Sequence, residues 1–530
     1  AGQILVFCEA GRIAVPPKHR QLFSYLEDRI VQAKAPADNH SFHPKLWLIR
    51  YVAADERVKY RLVCMSRNLT FDKCLDTVVV LDGDLRDDRA NGFTQNAPLK
   101  EFFTALPCSL VASEIGKVEW DLDGLPVEEL AFWPIGHQPR KVWPFREATD
   151  RVLVMSPFLS GSVLERLTKP RAEHFLVSRR HELDRLSPDV RNRFKSIEVI
   201  RDQPEVEEST EAPTESVDAM AANDLHAKVY IADRGWDASV WTGSANATHA
   251  AFDGNVEFLV ELRGKKSQLG IDAFLAGPTG TVCMRDLLEP YTPPEAFEPD
   301  AELEALEASL DRVRRELATL PWTVSVEARS DGDTYSVRTQ AGGAIGMAES
   351  GISVLMRPLA LGPEVAQPLS PGSQPSVTFE NVSLEGLTSF LVIEVHGKAG
   401  SRALAISFVV NARLVGEPPN RRERLLQSML KNKRDVVRYL LLLLAELGDE
   451  VGLGGMAIGA AVGTAYAAEL DSEALLEPLL RTFARAPDRL AAVAQLVHDL
   501  GVSPETAALV PEGLPHLLEA LMAAHAEATS

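Results

Sequence analysis

One short pattern occurs twice in this chain, and it limits the fold more than any other feature. His43-Pro44-Lys45 leads into the apolar run Leu46-Trp47-Leu48-Ile49, and after the next strand-like segment comes Ser66-Arg67-Asn68. His226-Ala227-Lys228 leads into Val229-Tyr230-Ile231-Ala232-Asp233, and after its next strand-like segment comes Gly243-Ser244-Ala245-Asn246. The two histidines lie 183 residues apart, an interval of domain size. A pattern repeated at that distance implies two lobes of one architecture, each supplying half of a common site.

The spacing has a chemical meaning. Residues i and i+2 of a strand face the same side, so His43 projects with Lys45, and His226 with Lys228. Ser66 and Asn68, like Ser244 and Asn246, add neutral donors from the end of a neighbouring strand. Two such sets facing each other surround an anion with cations and donors, the environment that stabilises a five-coordinate phosphorus. Each repeat also carries an acid further on. Asp76 opens the run Thr77–Val80, and Glu257 opens Phe258–Val260. Acids at equivalent strand starts can accept a hydrogen bond from the distal ring nitrogen of a histidine, which fixes its tautomer. The two gaps, 8 residues from Asn68 to Asp76 and 11 from Asn246 to Glu257, are unequal.

Hydrophobic patterning divides the chain. At 530 residues it exceeds what one core organises, so three or four domains are expected. Residues 1–146 alternate strand and helix signals: strands at Ile4–Phe7, Leu46–Tyr51, Tyr60–Met65 and Asp76–Leu81, and helical spacing over Lys18–Ala33. Residues 147–290 repeat the alternation, with strands at Arg151–Met155, Glu173–Ser178, Ile197–Ile200, Val229–Ala232, Val240–Thr242 and Val256–Leu262, and a helix over Ser160–Leu167. Gln203–Met220, rich in Glu, Pro, Ser and Thr, reads as an acidic loop before the second motif only, an inert insertion or a gate that competes with an anionic substrate. Residues 298–320 form a charged connector helix. Residues 321–415 carry short strands separated by Gly, Pro and Ser, the signature of an antiparallel sandwich. Residues 416–530 read as helical, with strong stretches at Arg424–Leu447, Ser472–Arg485 and Arg489–Leu500. The expected fold is therefore multidomain: two mixed-sheet α/β/α lobes, a β-sandwich and a helical C-terminal domain.

A net charge of −20 argues against a basic coat for non-specific nucleic-acid binding, while leaving room for a local basic cleft. Five scattered cysteines without CxxC spacing fit reduced thiols of a cytoplasmic protein and offer no zinc site. No run of about 18 apolar residues predicts a membrane span; Val451–Ala468 comes nearest but is built of Gly and Ala. The basic run Arg421, Arg422, Arg424, Lys431, Lys433, Arg434 and Arg438 reads first as a solvated helix face and second as a nucleic-acid or partner contact. Arg179 and Arg180 end a strand and can flank the cleft. Trp47, Trp236 and Trp241 lie near the motifs and can stack on a base, with core packing the default for Trp47 and Trp241; His249 reads as a surface residue.

With these residues in hand, the chain resembles the phospholipase D superfamily, whose pattern is His-x-Lys, four residues, Asp, then Gly-Ser-x-Asn. The second repeat matches throughout, with His226, Lys228, Asp233, Gly243, Ser244 and Asn246. The first departs at Arg50, in place of the Asp, and at Met65, in place of the Gly. Loss of that Asp is similar to the tyrosyl-DNA phosphodiesterase branch. The resemblance covers roughly residues 1–290. It implies a phosphodiesterase that needs no metal or other cofactor, because the lysines supply the positive charge. One histidine attacks phosphorus and the other protonates the leaving oxygen; His43 is then the nucleophile and His226 the acid and base. Lys45, Lys228, Asn68 and Asn246 would hold phosphate oxygens. A nuclease acting on DNA or RNA is expected first. A phospholipase or phosphatidyl transferase, and a non-catalytic phosphate-binding subunit, stand behind it. The accessory regions are similar in layout to bacterial defence nucleases that work with a helicase or other ATPase. The first repeat also looks shortened: 42 residues precede His43, against about 75 residues of strand and helix before His226. A strand and helix of that lobe are expected to come from residues outside this sequence.

Overall fold

The computed structural model describes residues 4–33, 40–53, 55–68, 74–86, 88, 92–137, 141–201, 224–277, 283–294, 300–330, 334–346, 351–419, 421–430, 432–444, 473–485, 488–501 and 507–529. The acidic stretch Gln203–Met220 and the segment Val451–Ala468 lie outside them. The protein is a multidomain α/β chain with several sheets, mixed and antiparallel, and helices around them.

β1 (Val6–Glu9) and β2 (Ile30–Ala33) form a parallel pair. β3 (Leu46–Val52), β4 (Val58–Met65), β6 (Val78–Leu85) and β7 (Val118–Trp120) form an antiparallel four-stranded sheet in that order. β5 (Cys74–Leu75) stands apart from it. A second sheet has eight strands. From one edge to the other they are β16 (Leu288–Pro290), β11 (Ser196–Ile200), β10 (Glu173–Val177), β9 (Arg151–Met155), β13 (Val229–Arg234), β14 (Asp237–Gly243), β15 (Glu257–Lys265) and β8 (Glu129–Ile135). β9, β10 and β11 run parallel; the other pairings are antiparallel.

The two sheets meet through β15, whose apolar run is buried on both faces. Phe258 and Val260 join Tyr60, Leu62, Leu81 and Phe102 in one core, while Leu259 joins Val154, Tyr230 and Trp241 in another. A strand covered on both sides carries consecutive apolar residues instead of alternating ones, as Phe258–Val260 does. A second seam lies beside it: β12 (Asp224–Leu225) pairs in parallel with β5. These seams bring the starts of β3 and β13, and the motifs that precede them, to one place.

Two further four-stranded sheets follow. One runs β21 (Ser376–Val382), β18 (Tyr335–Ala341), β17 (Trp322–Ala328), β24 (Arg413–Val415); the other runs β20 (Gln367–Pro368), β19 (Ile352–Pro358), β22 (Phe390–Ala399), β23 (Arg402–Asn411). Val324, Val337, Met356, Leu391 and Ile393 from both sheets share a core with Leu306, Leu310, Val313 and Leu317 of the helix Ala301–Thr319. The helices Arg421–Met429, Lys433–Leu444, Glu473–Arg485, Asp488–Gly501 and Leu514–Thr529 close the described chain.

Several local expectations change. Lys18–Ala33, read as one helix, is a 3₁₀ turn over Gln21–Leu26 followed by β2. Its apolar residues Phe23, Leu26 and Ile30, with Ile13, pack against Leu359, Phe390, Val392 and Val409. Although it precedes the first motif, this segment is therefore anchored on the sheets of residues 322–415. The helix read over Arg424–Leu447 breaks in two; the Asn432 side chain caps the second piece through the Asp435 amide at 2.9 Å. Residues 445–447 fall outside the described chain. Arg421, read as part of a solvated face, is buried. It holds Glu27 at 2.8 Å, with 1% and 4% of the two side chains exposed, and donates to the Leu387 carbonyl at 2.6 Å. Trp241 is core as expected, but Trp47 is about half exposed, because nothing among the described residues covers that face of β3.

Candidate active site

The local backbone explains how each histidine is held. The His43 amide donates to the Val256 carbonyl at 2.9 Å, and the His226 amide donates to the Leu75 carbonyl at 2.9 Å. Each histidine is thus tied by its backbone amide to the other half of the site. The side chains repeat that crossing. Glu257, 1% exposed, accepts from His43 Nδ1 at 3.1 Å through Oε2 and lies 3.2 Å away through Oε1. Asp76 Oδ1 lies 3.4 Å from His226 Nδ1. The acid that follows the second motif serves the first histidine, and the acid that follows the first serves the second. A carboxylate on Nδ1 makes that nitrogen the donor and leaves Nε2 of His43 for chemistry.

The serines hold the acids. Ser66 Oγ donates to Asp76 Oδ1 at 3.0 Å, its amide donates to the Thr77 carbonyl at 3.0 Å, and its oxygen accepts from the Thr77 amide at 2.9 Å. Ser244 Oγ donates to Glu257 Oε2 at 2.5 Å, its amide donates to the Phe258 carbonyl at 2.9 Å, and its oxygen accepts from the Phe258 amide at 2.9 Å. The serines therefore position carboxylates. Thr77 and Thr242 link the halves through a 2.6 Å hydroxyl contact.

Both lysines are buried. Lys45 Nζ lies against the His43 ring, 2.6 Å from Nε2 and 3.1 Å from Nδ1. Lys228 Nζ lies 3.1 Å from His226 Nδ1 and donates to the His226 carbonyl at 2.8 Å. Burial pushes Lys45 down to about 8, although Glu257 pulls the other way. Burial, with the Lys45 charge added, pushes Lys228 down to about 7. His226 falls to about 3, through burial first and then the charges of Lys228, Lys45 and Arg179. Two buried cations and a neutral ring form a site whose electrostatics favour an anion.

The asparagines stand differently. Asn246 follows Ser244 and is half-buried; its Oδ1 is buried without a partner among the described residues. Asn68 stands exposed at the end of β4. Asp233 is 1% exposed but sits at the far end of β13, about 16 Å along the strand from Lys228. It accepts from Arg151 at 3.3 Å and from the Ile271 amide at 3.2 Å. It braces the fold and does not face the histidines. That explains Arg50: in the first half the same position pairs with Glu114, at 2.8 and 3.0 Å, and Tyr60 donates to that carboxylate. The ion pair is kept with its sign inverted. Gly243 has a φ of +149°, and a Cβ there would meet the Phe258 carbonyl at 2.2 Å. Met65 pairs in regular register with Val78, which is why a side chain is tolerated there.

Some site residues escaped the motif pattern. Asn255 donates to Glu257 Oε1 at 3.1 Å and accepts from the Ser41 amide at 2.9 Å. Its i−2 spacing from Glu257 was the available signal. Glu9, buried at the end of β1, acts electrostatically on His43 and Lys45; its own carboxyl is raised by burial. No spacing in the sequence points to it. Arg179 does flank the second motif, with Nε donating to the Leu225 carbonyl at 2.9 Å. His249 is exposed beside Asp253. A cavity of about 160 Å³ opens elsewhere, lined by Thr149, Lys169, Arg234 and Trp241, and does not include the histidines. Among the described residues no group of three or more His, Cys, Asp or Glu is arranged to hold a metal ion, and no helix is long and apolar enough to cross a membrane. No family model matches the chain, and no curated protein is significantly similar to it.

Proposed function

We propose that the protein is a phosphodiesterase of the phospholipase D type, and that its substrate is a nucleic acid, DNA before RNA. The observation that carries this reading is the crossed arrangement: two His–Lys pairs in one site, each histidine facing the acid of the other half. Residues 1–146 and 147–290 are read as its two lobes, 321–415 as a β-sandwich, and 416–530 as a helical domain. The last two are surfaces for a partner such as a helicase or other ATPase in a bacterial defence complex, with the protein in the cytoplasm.

The chemistry follows from the side chains. Nε2 of one histidine attacks phosphorus and displaces the leaving oxygen, which takes a proton from the other. The resulting phosphohistidine is cleaved by water, deprotonated by the second histidine, which returns both residues to their starting states. Lys45 and Lys228 neutralise the non-bridging oxygens in a water-poor setting, where that charge is worth most. The family resemblance makes His43 the nucleophile. A second order is favoured by one observation: burial, and then the charges of Lys228, Lys45 and Arg179, hold His226 neutral, as a nucleophile must be.

The test is cleavage of single-stranded DNA, duplex DNA, RNA and phosphatidylcholine vesicles, in parallel, with EDTA present. Nuclease activity that survives EDTA and is lost in His43→Ala supports the proposal. Choline release would transfer the site to lipid chemistry, and phosphate binding without turnover would make it a binding subunit. Radiolabel trapped on His226→Ala but not on His43→Ala assigns His43 as nucleophile; the opposite result assigns His226.

A further inference from the structure

Beside the second histidine lies a group of residues that the phosphodiester chemistry does not use. The loop from Ser156 to Ser160 leaves β9 and passes the asparagine of the second motif. It is pinned at several points. Ser156 Oγ accepts from the Ala247 amide at 2.9 Å and donates to the Phe158 carbonyl at 2.8 Å. The Ser160 amide donates to the Ala247 carbonyl at 2.9 Å, Leu159 and Ala247 form a bridge, and the Leu159 amide donates to Glu182 at 2.9 Å. On this tied loop Phe158 remains 39% exposed. A large apolar ring held rigidly in solvent is already ordered for a ligand, so binding costs it little entropy.

Arg179 completes the group. Its guanidinium lies 5.0 Å from the centre of the Phe158 ring. Nε donates to the carbonyl of Leu225, the residue before His226, and Nη2 holds Asp224 at 2.8 Å. The Asp224 carboxylate offsets part of the charge, yet Arg179 still acts on both His226 and Lys228. The neighbouring Arg180 is committed to Glu289 at 3.1 Å. One cation and one exposed ring therefore sit within a residue or two of the histidine and of Asn246. A lone phosphate would need only the cation, and a lipid headgroup has no flat face to stack. A nucleotide uses both.

We propose that Phe158 and Arg179 form a subsite for the nucleotide next to the scissile phosphate, with the base stacked on Phe158 and its phosphate held by Arg179, so that the substrate strand is unpaired. This rests on the phosphodiesterase reading and deepens it. A base inside a duplex keeps both faces on its neighbours and cannot stack on Phe158, so single strands are cut in preference.

The test compares two substrates, a single-stranded oligothymidylate and bis(p-nitrophenyl) phosphate, which has a cleavable diester but no base. Base–aromatic stacking predicts that Phe158→Ala raises KM for the oligonucleotide roughly ten-fold or more with kcat kept, that Phe158→Trp restores it, and that the small diester is cleaved unchanged by both. Arg179→Ala should also weaken oligonucleotide binding and lower its salt slope by about one ion. Equal effects of Phe158→Ala on both substrates, or on neither, overturn the subsite while leaving the phosphodiesterase intact. Absence of cleavage of either substrate by the parent chain overturns the phosphodiesterase instead. Oligothymidylate binding, read by fluorescence anisotropy, then decides the subsite: a loss in Phe158→Ala supports it and no change overturns it.

Discussion

Replacing Lys228 by methionine should make the protein more stable while abolishing phosphate binding. Lys228 is fully buried and falls from an ordinary 10.5 to about 7. At about 1.36 kcal/mol per pKa unit, this difference opposes the charged folded state by about 5 kcal/mol. Methionine keeps the apolar stem and removes the charge, but loses the 2.8 Å bond to the His226 carbonyl, worth roughly 1 kcal/mol. A net gain of about 2–4 kcal/mol at pH 6 follows. The sign with pH is fixed by linkage. Between pH 7 and 10.5 the unfolded lysine binds a proton that the folded one has lost, so the parent gains stability with rising pH, whereas the variant has no such group. The gap between the two should therefore shrink by about 3 kcal/mol from pH 6 to pH 9. The assay is urea denaturation followed by tryptophan fluorescence at both pH values, with and without inorganic phosphate. Phosphate should raise the midpoint of the parent and leave the variant unmoved. A variant less stable than the parent at pH 6, or a gap that widens with pH, would refute the argument that Lys228 is a charge held against its own solvation.

Three other outcomes are expected. Glu257→Gln keeps the shape of the acid but not its charge, so kcat should fall roughly 100-fold with little change in KM, read by steady-state kinetics. Gly243→Ala drives a Cβ into the Phe258 carbonyl at 2.2 Å and should cost roughly 2–4 kcal/mol in a denaturation midpoint, with loss of activity because Ser244 and Glu257 move with that strand. Arg421→Ala leaves Glu27 buried without its counter-ion, so about 3–5 kcal/mol should be lost from the unfolding transition of the region that contains it, with the site untouched at temperatures where that region stays folded.

Much of this was legible in the residues. The strand reading of Arg151–Met155 coincides with the observed element, and most others agree within a few residues, because alternation is a local property that a short window reports. The helical reading of Lys18–Ala33 failed because its apolar positions serve a surface far away in sequence, which periodicity cannot distinguish from a helix face. Trp47 failed for a related reason: an aromatic in a strand says which side it faces, not whether anything covers that side.

The parts of the candidate site can be read along the chain. The i, i+2 spacing projects His43 with Lys45 and His226 with Lys228, and two Ser-x-Asn copies at strand ends announce a doubled arrangement. The three-dimensional packing shows how the parts are joined. Glu257 reaches His43 across 214 residues of chain, and Asp76 reaches His226, because the two sheets pack through β15 and the β5–β12 seam. It also separated bracing from chemistry, placing Asp233 and Arg50 in ion pairs of opposite sign away from the histidines. The reason is physical: a side chain's direction follows from its strand, but its partner depends on which distant surface is buried against it.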